Sequence, residues 1–240
     1  VLRDLLARGL IDREGRLTGS AVASPPAGPS ARQRLETARR LWADGRHAVA
    51  GSLSDVHLRR RGVTTASAAL RHHPGVPVAI YAARGLRRPA LMAAISAPDG
   101  ALTGIEITYL APNGERARMA LPRKTIGLRG PGSAVRLDAP AERMLVGEGV
   151  MTCLSAAAYF RLPAWALLST GNLRSWRPPP GVRFVVIAAD RGRDGERSAR
   201  VLAAALRQLG IRGAIRWPPR PFGDWNEAWM AALEAERGLG

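Results

Sequence analysis

The chain of 240 residues contains one cysteine and one lysine, and it has no long run of apolar residues. A membrane-spanning helix needs about 20 consecutive apolar residues, so we expect no membrane span. The lone cysteine, Cys153, excludes a disulfide framework and a zinc ribbon built within this chain. The first residues, VLRDLLARGLIDREGR, lack the apolar core of a secretion signal. We therefore expect a cytoplasmic location.

Acidic residues are also scarce, because 36 lysines and arginines stand against 19 aspartates and glutamates, a formal net charge of +17. The near absence of lysine is a codon bias that explains the choice of arginine, but it does not explain the basic excess. Such an excess repels itself in a compact fold unless a polyanion offsets it. The charge therefore favours a nucleic-acid partner, with a ribosomal or membrane-surface contact as the alternative.

The first part of the chain has helical patterns interrupted by a linker. Apolar residues recur at helical spacing over residues 1–20, and a stretch rich in proline, serine and alanine follows. We predict an N-terminal arm and linker over residues 1–30. Two further helices are predicted, over residues 31–50 and after Gly51, and the second ends in the basic cluster Arg59–Arg61.

Short strand-like runs separated by turn signals follow, and they extend to Leu137. These runs are VPVAIY, PALMAAIS, GIEITYL, RARMAL and AVRL. They predict a small, mostly antiparallel sheet, with a hairpin formed by GIEITYL and RARMAL. The segment LPRKTIGLRG is predicted to be a basic loop between two strands. Residues 31–140 are thus expected to form an α+β subdomain.

From Met144 the pattern alternates between strands and helices. The predicted strands are MLVG, AWALLS, RFVVIAA and GAIRW, and the helices cover about Val150–Phe160, Glu196–Leu209 and Asp224–Glu236. An apolar, β-branched run such as RFVVIAA is typical of a strand that is buried on both faces. The pattern predicts an α/β domain over residues 141–240, in which a parallel sheet is flanked by helices.

Carboxylates follow two of these strands. Glu148 comes after MLVG, Asp190 after RFVVIAA, and Asp194 stands four residues further on. Ligands of open α/β sheets bind at the carboxyl ends of the strands, and clustered carboxylates suit Mg²⁺ or Mn²⁺. This arrangement indicates metal-assisted phosphoryl transfer or phosphodiester cleavage. Alternatively, Glu148 and Asp194 stabilise helix N-termini.

The order of these segments resembles the Toprim family. VGEGVMTCLSA and VVIAADRGRDG follow the family's order of a Glu-Gly motif and an acid-rich motif, and PFGDWNEAW resembles the Asp-Trp-Asn-Asp segment that closes the plasmid and phage primase type. LWADGRHAVAGSLSDVHLRRRGV resembles the helical start of these proteins, and RRPALMAAISAPDGALTGIEITYLAPNG resembles the sheet subdomain of bacterial primases. The resemblance covers residues 35–235. It implies a C-terminal Toprim domain behind a smaller, primase-like α+β subdomain.

The resemblance also implies roles for individual residues. Glu148 would act as a general acid or base, and Asp190 would hold a metal ion. Gly149 and Gly195 would permit tight turns from strand to helix. One departure matters: primase-type Toprim domains carry Asp-x-Asp, whereas Gly192 stands at the position of the second acid.

Three outcomes of this departure are open. Asp194 could replace the missing metal ligand, or Asp224 or Glu227 could support the site. Otherwise the site has lost its metal, because fewer carboxylates and nearby positive charge both weaken cation binding. In that case Arg191 and Arg193 are suited to binding phosphate groups.

Further candidates for binding nucleic acid lie in the predicted basic loop. Arg123, Lys124 and Arg129 could contact a nucleic-acid backbone or nucleotide phosphates. A loop whose charges merely face solvent is the alternative.

The function that best accounts for both halves is a primase-like, metal-dependent nucleotidyl or phosphoryl transferase. Its expected cofactor is Mg²⁺ or Mn²⁺, and its expected partners are single-stranded DNA and nucleotides. A zinc ribbon and a helicase segment, which this sequence lacks, would come from a partner or a further part of the protein. Two alternatives stay open: a nuclease that uses the same acids, and a non-catalytic nucleic-acid-binding module with a degenerate Toprim site.

Overall fold

The structure is a computed structural model that describes residues 28–64 and 67–238. The predicted N-terminal helix lies outside these ranges. The chain from Ala31 onward forms one compact unit. Within the described ranges, no helix combines the length and the apolar character needed to cross a bilayer.

The described residues form six helices and nine strands. The helices are α1 Ala31–Asp44, α2 Leu53–Arg60, α3 Val150–Phe160, α4 Thr170–Ser175, α5 Arg193–Gln208 and α6 Trp225–Gly238. The strands are β1 Leu70–Pro77, β2 Arg87–Ser96, β3 Leu102–Tyr109, β4 Arg123–Gly127, β5 Val135–Arg136, β6 Arg143–Gly147, β7 Ala164–Ala166, β8 Phe184–Ala188 and β9 Arg212–Arg216.

The first sheet is antiparallel and has the strand order β1-β2-β3-β4. Successive side chains of a strand point to opposite faces, and here the two faces belong to different cores. Met92 and Ile107 pack with Leu41 of α1 on one face. Leu91 and Ala93 belong to a core on the other face that also contains residues of the second sheet. The first sheet is thereby covered by α1 on one side and meets the C-terminal half on the other.

The expected antiparallel sheet is present, but three of its predicted segments were wrong. The run VPVAIY shares only Val76 and Pro77 with β1, which begins at Leu70 because His72 and His73 already pair with β2. After the turn at Pro112–Gly114, the run RARMAL contributes only an isolated bridge between Arg116 and Leu110. The strand that pairs along β3 is β4, within the segment predicted as a loop. The physical reason is that the run RARMAL is buried only in part: Ala117 lies in the core beneath α1, but Leu121 is largely exposed, whereas Ile126 of β4 is buried in that core.

The second sheet has the order β5-β7-β6-β8-β9. Strands β6 to β9 run parallel, and the short edge strand β5 is antiparallel to β7. On β6, Leu145 packs on the side of α3 and α6, while Val146 packs on the side of α4 and α5. The predicted parallel sheet with helices on both faces is confirmed. Helix α4 was not predicted, because six residues capped by Ser169 are too few to display a helical period.

Candidate active site

Three carboxylates reach one cavity from separate elements of the C-terminal half. Strands β6 and β8 are neighbours, with Gly147 opposite Ala188, so Glu148 and Asp190 leave the sheet at the same edge. Asp224 reaches the same place from the start of α6. All three line a cavity of about 240 Å³.

Burial and neighbouring carboxylates raise the pKa of two acids in this cavity, Asp190 and Glu148. Burial, together with the charges of Asp224 and Glu148, raises the pKa of Asp190 to about 6, although Thr152 donates a hydrogen bond of 3.3 Å to its Oδ1. Burial and the charge of Asp194 raise the pKa of Glu148, partly offset by nearby arginines. Ionised carboxylates in this arrangement repel one another, and a bound cation would stabilise them.

The donor atoms at this edge fit a hard divalent cation by their chemistry. Mg²⁺ and Mn²⁺ are bound through carboxylate oxygens and keep several waters, and the cavity presents three carboxylates. Across the described residues, no three His, Cys, Asp or Glu side chains are already arranged as a metal site. Glu148, Asp190 and Asp224 share the cavity, but they do not form such a group in this structure.

The other two predicted acids are engaged by their own surroundings. Asp194, in the first turn of α5, accepts a hydrogen bond from Arg174 and is mostly exposed. Glu227 accepts a hydrogen bond of 2.7 Å from the backbone of Gly223, and its own backbone N–H donates to Asp224 at 2.9 Å. Neither acid lines the cavity, so the structure brings together Glu148, Asp190 and Asp224 rather than Asp194 or Glu227.

Adjacent basic residues of β4 point to opposite faces of the first sheet. Arg123 lines the cavity. The Lys124 ammonium donates a hydrogen bond of 2.6 Å to the carbonyl of Val78 and lies 5.7 Å from the ring centroid of Tyr109, on the side of α1. Arg129 donates to the carbonyl of Leu168 at 3.1 Å. The segment predicted as a loop is a strand, and its alternation separates Arg123 from Lys124.

The two arginines beside Gly192 also differ in their surroundings. Arg191 donates through Nε and Nη2 to the carbonyl of Pro218, at 3.0 and 2.7 Å. This pair of bonds ties the segment after β8 to the segment after β9. Arg193 is exposed at the start of α5. Neither arginine lines the cavity.

The N-terminal half contributes cavity residues that the sequence did not single out, namely His57, Glu106, Thr108 and Arg116. It also contributes Arg61, from the predicted basic cluster Arg59–Arg61. No local sequence pattern relates these residues to one another, because they line one cavity only when the two halves of the chain pack together. The alternation of GIEITYL does place Glu106 on the face opposite to Ile105 and Ile107, and this feature was available from the sequence.

Asn226 connects the two halves beside the cavity. Its Nδ2 donates hydrogen bonds of 2.9 Å to the carbonyl of Arg61 and to Ser155, and its Oδ1 accepts one of 2.9 Å from the Arg61 guanidinium. His57, one turn earlier on α2, forms a 2.8 Å hydrogen bond through Nδ1 with the carbonyl of Gly114, and burial lowers its pKa. A neutral imidazole and an oriented guanidinium thus stand at this wall of the cavity.

The two predicted turn glycines have different physical requirements. Gly149 has φ −90°, ordinary extended backbone that any residue adopts. At Gly195 an added Cβ would lie 2.8 Å from the carbonyl oxygen of Asp190. Gly195 is therefore needed for the close approach of α5 to the end of β8, whereas the turn at Gly149 does not depend on glycine.

Gly192 is restricted to glycine by its backbone dihedral angles and not by a steric clash. Its φ of 124° and ψ of 153° lie in a region used almost solely by glycine. We expect Gly192→Ala to lower the free energy of unfolding by about 1–3 kcal/mol, although no atom lies within 4 Å of the added Cβ. Urea denaturation measures this change.

The matched control is Gly171→Ala, since Gly171 also has open space but lies within α4 without a positive φ. Equal stability of the Gly192→Ala variant and the wild type would contradict this account. If Gly192→Ala does lower the free energy of unfolding, an aspartate at position 192 would carry the same backbone strain. The backbone conformation at this position would then explain why glycine replaces the second acid of the Asp-x-Asp pattern.

Two protein-family models match the chain, and the boundary between them falls between β5 and β6. A domain of unknown function (DUF7146) matches residues 32–137. The Toprim domain matches residues 143–235. No curated protein sequence matches this chain.

The chain is also similar to solved primase structures. The DnaG primase catalytic domain bound to single-stranded DNA is 17% identical with a TM-score of 0.55, over 87% of this chain and 79% of that chain. The primase fragment of the bacteriophage T7 primase-helicase is 14% identical with a TM-score of 0.50, over 81% and 73%. The Aquifex aeolicus primase, with zinc-binding and RNA polymerase domains, is 13% identical with a TM-score of 0.55, over 88% and 61%. The chain spans less than two thirds of that last protein, and at these identities the likeness shows a shared fold.

Proposed function

We propose that this protein is a primase-like nucleotidyltransferase that acts on DNA with Mg²⁺ or Mn²⁺. The basis of the proposal is that residues 143–235 form a Toprim domain in a chain with the primase fold. The observation that carries the proposal is the convergence of Glu148, Asp190 and Asp224 on one cavity. A nucleic-acid-binding module would gain nothing from three carboxylates that share one cavity and repel phosphate.

In this proposal the three carboxylates have different roles. Asp190 and Asp224 hold the cation, and Glu148, whose pKa is raised by burial and by Asp194, accepts or donates a proton at the reacting hydroxyl. When bound, the cation supplies charge stabilisation to the transferring phosphoryl group. Asp194 stays paired with Arg174 and serves the fold of α5.

Arginines of the N-terminal half are positioned for phosphate groups. Arg61, Arg116 and Arg123 line the cavity together with the carboxylates. A guanidinium binds phosphate through two parallel hydrogen bonds, and Arg61 is oriented by its bond to Asn226. The cavity thus offers cationic groups for a triphosphate beside acidic groups for a metal ion.

The net charge of +17 implies that DNA binding depends strongly on salt. If single-stranded DNA contacts about five basic residues, affinity should fall about 100-fold between about 50 and 200 mM salt, since each phosphate contact releases counterions. Fluorescence anisotropy with a labelled oligonucleotide measures the slope. A peptide nucleic acid of the same sequence, which has no phosphates, is the matched control and should not bind. An affinity that does not change with salt would contradict the proposed phosphate contacts.

The direct test of the proposed activity is the length of the product. The chain is incubated with labelled single-stranded DNA, a mixture of nucleotides and Mn²⁺. Newly made or extended oligomers are the expected result. Shortened DNA would overturn the proposal in favour of a nuclease.

A non-catalytic binding module is the second candidate, and one observation favours it. Gly192 replaces an expected acid, and Asp194, the nearest substitute, is paired with Arg174. This candidate predicts salt-dependent DNA binding together with unchanged DNA length. It also predicts no effect of Mn²⁺ on the melting temperature, whereas the proposed enzyme should melt at a higher temperature when Mn²⁺ is present.

A further inference from the structure

A fourth carboxylate faces the cavity, and it comes from the N-terminal half. Glu106 lies on β3 opposite Ala93 of β2 and Thr125 of β4. Its neighbours Ala93 and Thr108 line the same cavity, together with Arg123 of β4. One face of the first sheet therefore forms a wall of the site, with an acid at its middle strand.

Glu106 is mostly buried, but no partner satisfies it. Burial raises its pKa, and the charges of Arg123 and Arg129 lower it. Within the described ranges its carboxylate accepts no hydrogen bond and forms no ion pair. Burying a carboxylate without hydrogen-bond donors costs free energy. The carboxylate oxygens of Glu106 are not among the fully buried unpaired atoms of the described residues, so they remain open to the cavity. Its free acceptor oxygens face the cavity and are available to a ligand.

The charge of Glu106 limits which part of a nucleotide can lie beside it. Phosphate groups are repelled by a carboxylate and attracted by Arg61, Arg116 and Arg123, which line the same cavity. The group at Glu106 must therefore donate a hydrogen bond, as a sugar hydroxyl or a base amino group does. The sugar is favoured because the cavity, about 240 Å³, is below the usual range of about 300–1,000 Å³ for whole small-molecule ligands. It fits phosphates and the adjoining sugar rather than an entire nucleotide.

We infer that Glu106 accepts a hydrogen bond from the 2′-hydroxyl of a bound nucleoside triphosphate and so makes the site prefer ribonucleotides. This inference rests on the proposed function, because it assumes that the cavity binds nucleotides. A site built around a substrate hydroxyl discriminates against the analogue that lacks it, since the protein's buried polar group is then left unpaired. A hydrogen bond to a charged group supplies enough free energy for at least about a 10-fold preference.

The test compares Glu106→Ala with the wild type on ribonucleoside and 2′-deoxyribonucleoside triphosphates, with Mn²⁺ and single-stranded DNA present. The expected result is a KM for ribonucleotides that rises about 10-fold or more, with the KM for deoxyribonucleotides and the kcat for both nearly unchanged. Glu106→Gln keeps an acceptor oxygen and should restore part of the preference. Glu36→Ala is the matched control, since Glu36 is an exposed acid of α1 paired with Arg32.

An equal change of KM for both kinds of nucleotide would overturn the inference, as would a wild type that shows no preference. Isothermal titration calorimetry of the same nucleotides separates this outcome from failure of the proposed function, because binding requires no turnover. A chain that binds ribonucleotides more tightly through Glu106, yet makes no product, would overturn the transferase and retain the inference. Melting temperatures verify that each variant is folded.

Discussion

Replacement of Asp190 by asparagine is expected to abolish measurable Mn²⁺ binding and to lower nucleotide incorporation by at least about 100-fold, because a bound metal supplies several kcal/mol of transition-state stabilisation. Asparagine keeps the shape of the side chain and its contact with Thr152, but it removes the negative charge between Glu148 and Asp224. Mn²⁺ titration and a primer-synthesis assay measure the two effects. Asp99→Asn is the matched control, because Asp99 lies in an exposed turn and accepts only the backbone N–H of Ala101.

The same variant should be at least as stable as the wild type without metal. The pKa of Asp190 in the folded chain, about 6, lies above its usual value of 3.8. The stability linked to its protonated form is therefore complete below the usual value and is lost as pH rises through about 6. Asparagine removes this loss, so above pH 6 the variant should melt at an equal or higher temperature.

Wild-type Mn²⁺ affinity should fall as pH decreases below about 6, because protonated Asp190 cannot bind the ion. A variant that loses stability and metal binding together would contradict the assignment, since misfolding would then explain both.

Replacement of Glu148 by glutamine is expected to lower kcat by about 100- to 10,000-fold, the range attributed to general acid–base groups. Mn²⁺ affinity should fall much less than in the Asp190 variant, because Asp190 and Asp224 keep their charges. Steady-state rates at saturating Mn²⁺ separate these two effects. Glu142→Gln provides the control, since Glu142 is an exposed acid just before β6 that lies 4.0 Å from Arg183.

Two results would contradict the role given to Glu148. A glutamine variant with unchanged kcat would remove Glu148 from the chemistry. A variant whose activity returns fully at higher Mn²⁺ concentration would make Glu148 a metal ligand instead of a proton-transfer group.

The C-terminal half was predictable because its pattern is strong. Buried strands such as β8 are continuous apolar runs, and the helices between them are long enough to show a period, as α5 does. The N-terminal half was harder, because the alternation of RARMAL is typical of a strand, whereas β3 pairs with β4 instead. Ala117 of that run and Ile126 of β4 are both buried in the core beneath α1. Which segment pairs with β3 is therefore a long-range property that the local pattern does not contain.

The part of the candidate site that lies in the C-terminal half was predictable, whereas the part in the N-terminal half was not. Glu148 and Asp190 each follow a predicted strand, and their proximity was expected on the condition that the two strands are neighbours, as β6 and β8 are. The opposite orientations of Arg123 and Lys124 depended on whether the segment was a loop or a strand. Glu106 lies on the other sheet, and its place in the cavity depends on how the two halves meet, which composition and spacing do not reveal.

The measurement that most directly tests the proposed metal site is an anomalous difference map from a crystal of the wild-type chain soaked in Mn²⁺. We expect one strong peak within coordination distance of Asp190 and Asp224, near Glu148, with Asp194 still bonded to Arg174. A map without a peak at this edge of the sheet, at Mn²⁺ concentrations that raise the melting temperature, would contradict it. So would a peak bound by Asp194 in place of Asp224.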